Sequence, residues 1–156
     1  MCVTLHSKTL NSPLIVYTLP IPFATPAFDE AVYLRHLILR VPLGMTFKPH
    51  EIADEADSTH LGIYANTGEL LGVLTMKPLR KGEVKMRQVA VAAHLQGKGI
   101  GSQLVAASEV WAKEAGFQSI VLHAREVAVP FYERLGYVKE GSRFLEVGIP
   151  HWRMRK

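Results

Sequence analysis

The 156-residue chain predicts an α+β fold, a mostly antiparallel sheet of six to seven strands with helices on both faces. Three observations carry this. Short apolar runs separated by turn-forming residues come first, at Leu14–Thr18, Leu61–Ala65 and Leu70–Met76. A near-continuous apolar strand, a glycine-rich turn and a long amphipathic helix then fill Val84 to Glu114. Beyond it, a strand at 119–123, a helix near 126–135 and two further strands alternate to the C-terminus. The length predicts one domain over residues 1–156, with its central motifs between Val84 and Tyr137.

In chain order, residues 1–12 show no period, and a poorly ordered terminus is expected there. Leu14–Thr18 reads as a first strand, followed by a loop stiffened by Pro20, Pro22 and Pro26. Ala31, Leu34, Leu37, Ile38 and Val41 form a helical stripe that Pro42 ends. Arg35 and Arg40 lie on or beside this helix and read as solvated or capping arginines. Residues 42–60 form an irregular polar connection, with a short helix near Glu51–Ala56 and an acidic cluster of Glu51, Asp54, Glu55 and Asp57. Asn66-Thr67-Gly68-Glu69 makes a hairpin of the next two strands, and Lys81-Gly82 turns into the central one. Ile100, Leu104, Val105, Ser108, Trp111, Ala112 and Ala115 recur at helical spacing, and Gly116 is a natural stop. A strand from Tyr137 to about Leu145 follows, and Gly148-Ile149-Pro150 breaks the chain before a last strand, His151–Arg155.

Composition excludes several classes. An apolar share of 48% and a charged share of 21% suit a soluble globular protein. The net charge of +4 suits a polyanionic ligand, yet no Lys/Arg block or aromatic-interleaved basic stripe supports nucleic acid, and Arg153–Lys156 reads as a solvated strand end. The apolar stretch from Leu14 to Phe28 is broken by prolines and lacks a basic start, so no signal peptide is expected. Nor does any run approach the ~20 apolar residues of a membrane span. The single cysteine, Cys2, permits no internal disulfide, so a reducing, cytoplasmic setting is expected.

Gly97, Gly99 and Gly101 lie at the helix start, where they allow a sharp turn and leave the first N–H groups uncovered. With the positive end of the helix dipole and Lys98 beside it, this is an anion site suited to phosphate. A P-loop requires Ser or Thr directly after the lysine, and Gly99 follows Lys98. A dinucleotide fingerprint wants a glycine where Ser102 stands and an acidic residue at the end of the next strand, where His123 stands. A third pattern is Gln or Arg, two residues, Gly, one residue, then Gly or Ala. Gln96-Gly97-Lys98-Gly99-Ile100-Gly101 fits it throughout and resembles the pyrophosphate loop of the GNAT superfamily of N-acetyltransferases. Ala128-Val129-Pro130-Phe131-Tyr132-Glu133-Arg134-Leu135-Gly136-Tyr137 is similar to that family's later helix, with its Phe-Tyr pair and its Leu-Gly-Phe/Tyr exit.

The resemblance implies a GNAT-type sheet whose central strand splays from its neighbour, with acetyl-CoA as co-substrate and no metal. Its acetyl group would pass directly to the primary amine of a small molecule or peptide in a ternary complex. By the same resemblance, the backbones of Val89, Ala90 and Val91 hold pantetheine, and Gln96, Gly97, Lys98, Gly99, Ile100, Gly101 and Ser102 cradle the pyrophosphate. Tyr132 would be the general acid, with packing as its structural alternative. Where many members carry Asn this chain has Arg125, which either reaches a phosphate or carboxylate or is solvated. Glu83 and His123 are the candidate general bases, beside an ordered water chain. Residues 42–60 would line the acceptor pocket, with Glu55 a candidate there unless the acidic cluster is a solvated face. Arg40, just before it, is a further candidate, as are Glu146 and His151, for which a surface hairpin is the alternative. A non-catalytic acyl-CoA sensor on the same fold and a nucleotide-dependent oxidoreductase are the rivals, and a homodimer is left open.

Overall fold

The computed structural model describes residues 14–80 and 82–156. The expectations for residues 1–12, for Cys2 and for Lys81 lie outside the described residues. Among the described residues seven strands form one sheet: β1 (Val16–Ile21), β2 (Thr59–Ala65), β3 (Leu70–Pro78), β4 (Glu83–Val91), β5 (Ser119–Arg125), β6 (Val138–Glu146) and β7 (Ile149–Arg155). Their order is β1-β2-β3-β4-β5-β7-β6. Among the described residues only β4 and β5 run parallel, and every other pair is antiparallel. The mixed, mostly antiparallel sheet expected from the sequence is therefore observed. β1 is longer than the sequence suggests because it includes Pro20, which an edge strand accommodates. β7 likewise takes in Pro150, the turn being made instead by Val147 and Gly148, both at positive φ.

Helices α3 (Ile100–Glu114) and α4 (Val129–Arg134) pack on one face. Ile100, Leu104, Val105, Ser108 and Ala112 form the buried stripe of α3, and they meet Leu61, Ile63, Met86 and Leu122 from the sheet. Helix α1 (Pro26–Arg35) covers the other face, where Phe28 and Ala31 join Ile21, Val73 and Ala90. Thr25 caps α1 by accepting from the Phe28 N–H. The expected helix to Val41 is not uniform. It loosens into a π turn over His36–Arg40 and a 3₁₀ turn over Val41–Leu43 that carries Pro42, while α2 is confined to Pro49–Ala53.

Two irregularities shape β4. Its parallel register with β5 runs from Glu83↔Ser119 only to Met86↔Leu122, although β4 continues to Val91 and β5 to Arg125. The two strands thus diverge beyond Met86, as the resemblance implies. On its other side β4 holds β3 through a bulge: the register moves from Val73↔Ala90 to Thr75↔Arg87, so β4 spends one residue more than β3. Gln88 sits in this bulge at φ 53°, a left-handed conformation disfavoured for a non-glycine residue.

What holds Gln88 there is a buried ion pair. Arg35 Nη1 and Nη2 donate to Glu55 Oε2 and Oε1 at 2.9 and 2.8 Å, with the two side chains 1% and 3% exposed. Gln88 Nε2 donates to Glu55 Oε1 at 2.7 Å. Arg35 is therefore no solvated arginine, and Glu55 is turned inward to α1 and β4 instead of lining an acceptor pocket. The remaining expected acids also part company: Asp57 pairs with Lys77 at 3.4 Å, and Glu51 with Arg40 at 3.5 Å. Removing one member of a buried pair strands the other charge. Arg35→Met should cost about 3–5 kcal/mol in urea unfolding, and adding Glu55→Leu should recover most of that loss. Equal stability of Arg35→Met and wild type would show that the pair contributes nothing.

Candidate active site

The phosphate-type end of the site is built from backbone. Gly97 and Gly99 adopt φ 77° and 84°, and Gly99 caps α3 without any side chain to satisfy the first-turn N–H groups. A side chain at either position is strained by conformation alone, since nothing crowds the place its Cβ would take. Gln96 Nε2 donates to the Val91 carbonyl at 3.0 Å and ties the loop to the end of β4. Gln96 to Gly99 are exposed, Ile100 is buried, and the Phe131 ring lies behind Gly101. Uncapped N–H groups, a helix dipole and a Lys98 ammonium suit a pyrophosphate, and the β4 edge left free by β5 suits an extended amide-bearing chain. The chain's residues thus fit coenzyme A.

From this loop a cleft of about 590 Å³ runs into the splay between β4 and β5. The π turn supplies Ile38, Leu39 and Arg40 to its wall, β4 supplies Lys85, Arg87, Gln88 and Val89, and β5 supplies His123 and Arg125. Tyr132 of α4, with Glu146 and His151 from the last hairpin, completes it. Tyr132 is 8% exposed, and its ring packs edge-on against Phe131 and Tyr137. Burial pushes its phenol well above the ordinary tyrosine value, so the hydroxyl keeps its proton throughout the neutral range.

Opposite lies a titratable cluster. His123 Nδ1 is 3.2 Å from Lys85 Nζ and 3.0 Å from Glu146 Oε1. One ring nitrogen cannot serve both in the same tautomer: it accepts from Lys85 or donates to Glu146. Burial lowers the His123 value, a tendency the Glu146 hydrogen bond opposes and the Lys85 charge reinforces. Burial also lowers Lys85. For Glu146, burial acts upward, but His123, His151 and Lys85 together bring its carboxyl below the usual range. His151, 5% exposed, donates from Nδ1 to the Ile149 carbonyl at 2.7 Å and turns Nε2 toward Glu146 at 3.6 Å.

Of the two candidate bases, the structure separates Glu83 from the cleft. Glu83 starts β4, at the closed end of the splay, where its carboxylate accepts from Arg155 at 2.8 Å and lies near Arg80 and Arg153. The Arg155 hydrogen bond holds it below the usual carboxylate range. It is an ion-pair anchor, out of reach of a reacting amine. Arg125 also turns away from the diphosphate loop. Its Nη2 donates to the Leu39 carbonyl at 3.4 Å, on the α1 side of the sheet, whereas the glycine loop leads into α3 on the other. Sequence reading missed Lys85, Arg87 and Gln88. The first two could be seen as polar residues alternating with the buried Val84 and Met86; the Gln88 conformation had no local signal.

Comparison with known proteins converges on one family. The family model described as an acetyltransferase (GNAT) domain matches residues 46–156. An uncharacterized N-acetyltransferase of Bacillus subtilis, YjcF, is 32% identical over 103 residues, which span 65% of this chain and 72% of that protein. An acyl-CoA N-acyltransferase from Pseudomonas aeruginosa is 25% identical and superposes with a TM-score of 0.74, covering 92% of this chain and 99% of that one. A Bacillus subtilis acetyltransferase solved in complex with CoA shares the fold at a TM-score of 0.69 and 22% identity, covering 90% and 97% of the two chains. With its splayed parallel pair, uncapped glycine loop and buried cleft tyrosine, the chain belongs to the GNAT acetyltransferase family.

Proposed function

We propose that this single-domain, cytoplasmic enzyme transfers the acetyl group of acetyl-CoA to a primary amine, directly, within a ternary complex. The observation that carries the reading is the continuity of the glycine loop with the β4–β5 splay and the cleft beyond it, at whose wall Tyr132 stands. When bound, acetyl-CoA supplies an activated thioester carbonyl. Backbone groups of Val89, Ala90 and Val91, freed from β5, align the pantetheine arm, while Gln96 to Ser102 fix the diphosphate. The amine approaches from the α1 side. Its nitrogen bonds to the carbonyl carbon, the carbon–sulfur bond breaks, and Tyr132 Oη gives its proton to the departing sulfur. His123, neutral at pH 7, receives the proton that the amine nitrogen loses on Nε2, which is free when Nδ1–H donates to Glu146.

Thermal unfolding with acetyl-CoA, CoA, NAD and ATP in parallel tests the cofactor. At a hundred times its dissociation constant a ligand adds about 2.7 kcal/mol, or roughly 5–11 °C for a chain of this size. Both CoA forms, and neither other nucleotide, should give this shift; NAD alone raising Tm would revive the oxidoreductase. Binding without turnover over a broad amine panel would favour the sensor. Tyr132→Phe should lower kcat by about a hundredfold or more with acetyl-CoA binding kept, and an unchanged kcat would remove Tyr132 from the chemistry.

The pH profile follows from His123. With its value below the usual 6.5, the base form is present at neutrality and is lost as pH falls through that lower value. The rate should therefore drop on the acid side with an inflection below 6.5. Lys85, Glu146 and Arg153 are the charged groups that bear on the ring. His123→Gln should abolish this limb, whereas an unaltered profile would point to water as the base.

A further inference from the structure

The open half of the sheet on the α1 side carries an unusual density of positive charge, and most of it is matched. Arg153 and Arg155 are neutralised by Glu83 and Glu140, with contacts of 2.6–3.0 Å for Arg153–Glu140, Arg155–Glu140 and Arg155–Glu83. The Lys85 ammonium lies 3.2 Å from His123 Nδ1, beside Glu146, and Arg40 faces Glu51 while stacking on Phe47 at 4.4 Å. Two guanidiniums remain. Arg87 and Arg125, both half-buried, pair with no carboxylate among the described residues. Both line the cleft. Its walls carry four fixed cations, Arg40, Lys85, Arg87 and Arg125, against two carboxylates, Glu51 and Glu146, an excess of two positive charges.

Half-buried charges without a counter-charge are costly, and a guanidinium matches the two oxygens of a carboxylate or phosphate in its own plane. A purely cationic acceptor such as a polyamine would be repelled here, and an apolar amine would leave both groups unanswered. The diphosphate of coenzyme A has its own backbone site at the start of α3, and Arg125 reaches the other way, to the Leu39 carbonyl of the π turn. We propose that the acceptor is an amine that also bears an oxyanion, held by Arg87 and Arg125 on the α1 side of the cleft while its amine points toward the thioester. This rests on the acetyltransferase reading and narrows its acceptor class. The π turn is then part of the acceptor site, because its irregular backbone exposes the carbonyl that orients Arg125.

The test is acetyl transfer to matched amines at fixed acetyl-CoA: phenylalanine against phenethylamine, β-alanine against propylamine, and phosphoethanolamine against ethanolamine. The oxyanion-bearing member of at least one pair should be preferred in kcat/KM by about tenfold to a hundredfold, the range of a charge-assisted hydrogen bond or two. Which pair responds tells carboxylate from phosphate. Arg87→Gln and Arg125→Gln should each pull that preference toward unity, Arg87→Lys should keep part of it, and the Tm shift given by acetyl-CoA should survive Arg87→Gln. Transfer with equal or better efficiency to the oxyanion-free members would overturn the acceptor assignment and leave the acetyltransferase reading intact. So would an Arg87→Gln variant that loses acetyl-CoA binding, since the arginine would then belong to the cofactor. Binding of acetyl-CoA with no transfer to any of the six amines would overturn both readings.

Discussion

The active-site cleft depends on one buried interaction, the bidentate Arg35–Glu55 pair with Gln88 as its third member. A buried ion pair is a weak source of net stability, because desolvation offsets most of the attraction. Its consequence here is geometric. Glu55 lies at the end of the connection between α1 and β2, Arg35 at the end of α1, and Gln88 in β4. The pair joins three segments distant in sequence at one point, and the Gln88 hydrogen bond holds a residue in the left-handed region that its own preferences oppose. That residue makes the bulge, just past Met86, where β4 leaves β5 while still following β3.

The splay is thus held from both ends. At the closed end Glu83, Arg155, Glu140 and Ser119 form a hydrogen-bonded ladder across β4, β5, β7 and β6. At the open end the Arg35–Glu55–Gln88 network pulls β4 toward α1, while β5 stays with β7 as far as Arg125↔His151. A parallel pair held at one end and released at the other yields a wedge, with unpaired backbone lining it and side chains projecting to both faces. The helix side receives the buried phenol of Tyr132, and the open side receives Lys85, Arg87, His123 and Arg125. A proton donor and the groups able to accept a proton or hold a charged acceptor are consequently distributed around one passage.

Much of the framework was legible in the sequence because it is encoded locally. The period of α3, the glycines at its start, the hairpin about Gly68 and the apolar run of β4 are each set within a few residues. The Phe131-Tyr132 pair was placed by resemblance to the family's later helix, not by local period. Charged residues were harder. Glu83 and His123 looked alike as strand-end candidates, yet one is locked among arginines and the other shares the cleft with Lys85 and Glu146. Arg35, read as solvated, is buried because its partner arrives from the connection after α2, 20 positions on. Burial and partners of a charge are properties of packing, and no periodicity reports them.

By itself the sequence determined the order of the elements, the mixed sheet with helices on both faces, and the anion-binding loop. These follow from hydrophobic period and from glycines whose backbone conformation few other residues tolerate. Only the tertiary structure decided where β4 parts from β5, which carboxylates are consumed in internal pairs, and which two arginines are left to face the cleft. Each of those outcomes is a competition for partners among residues far apart in the chain, and it is resolved only when the folded elements bring those partners within reach.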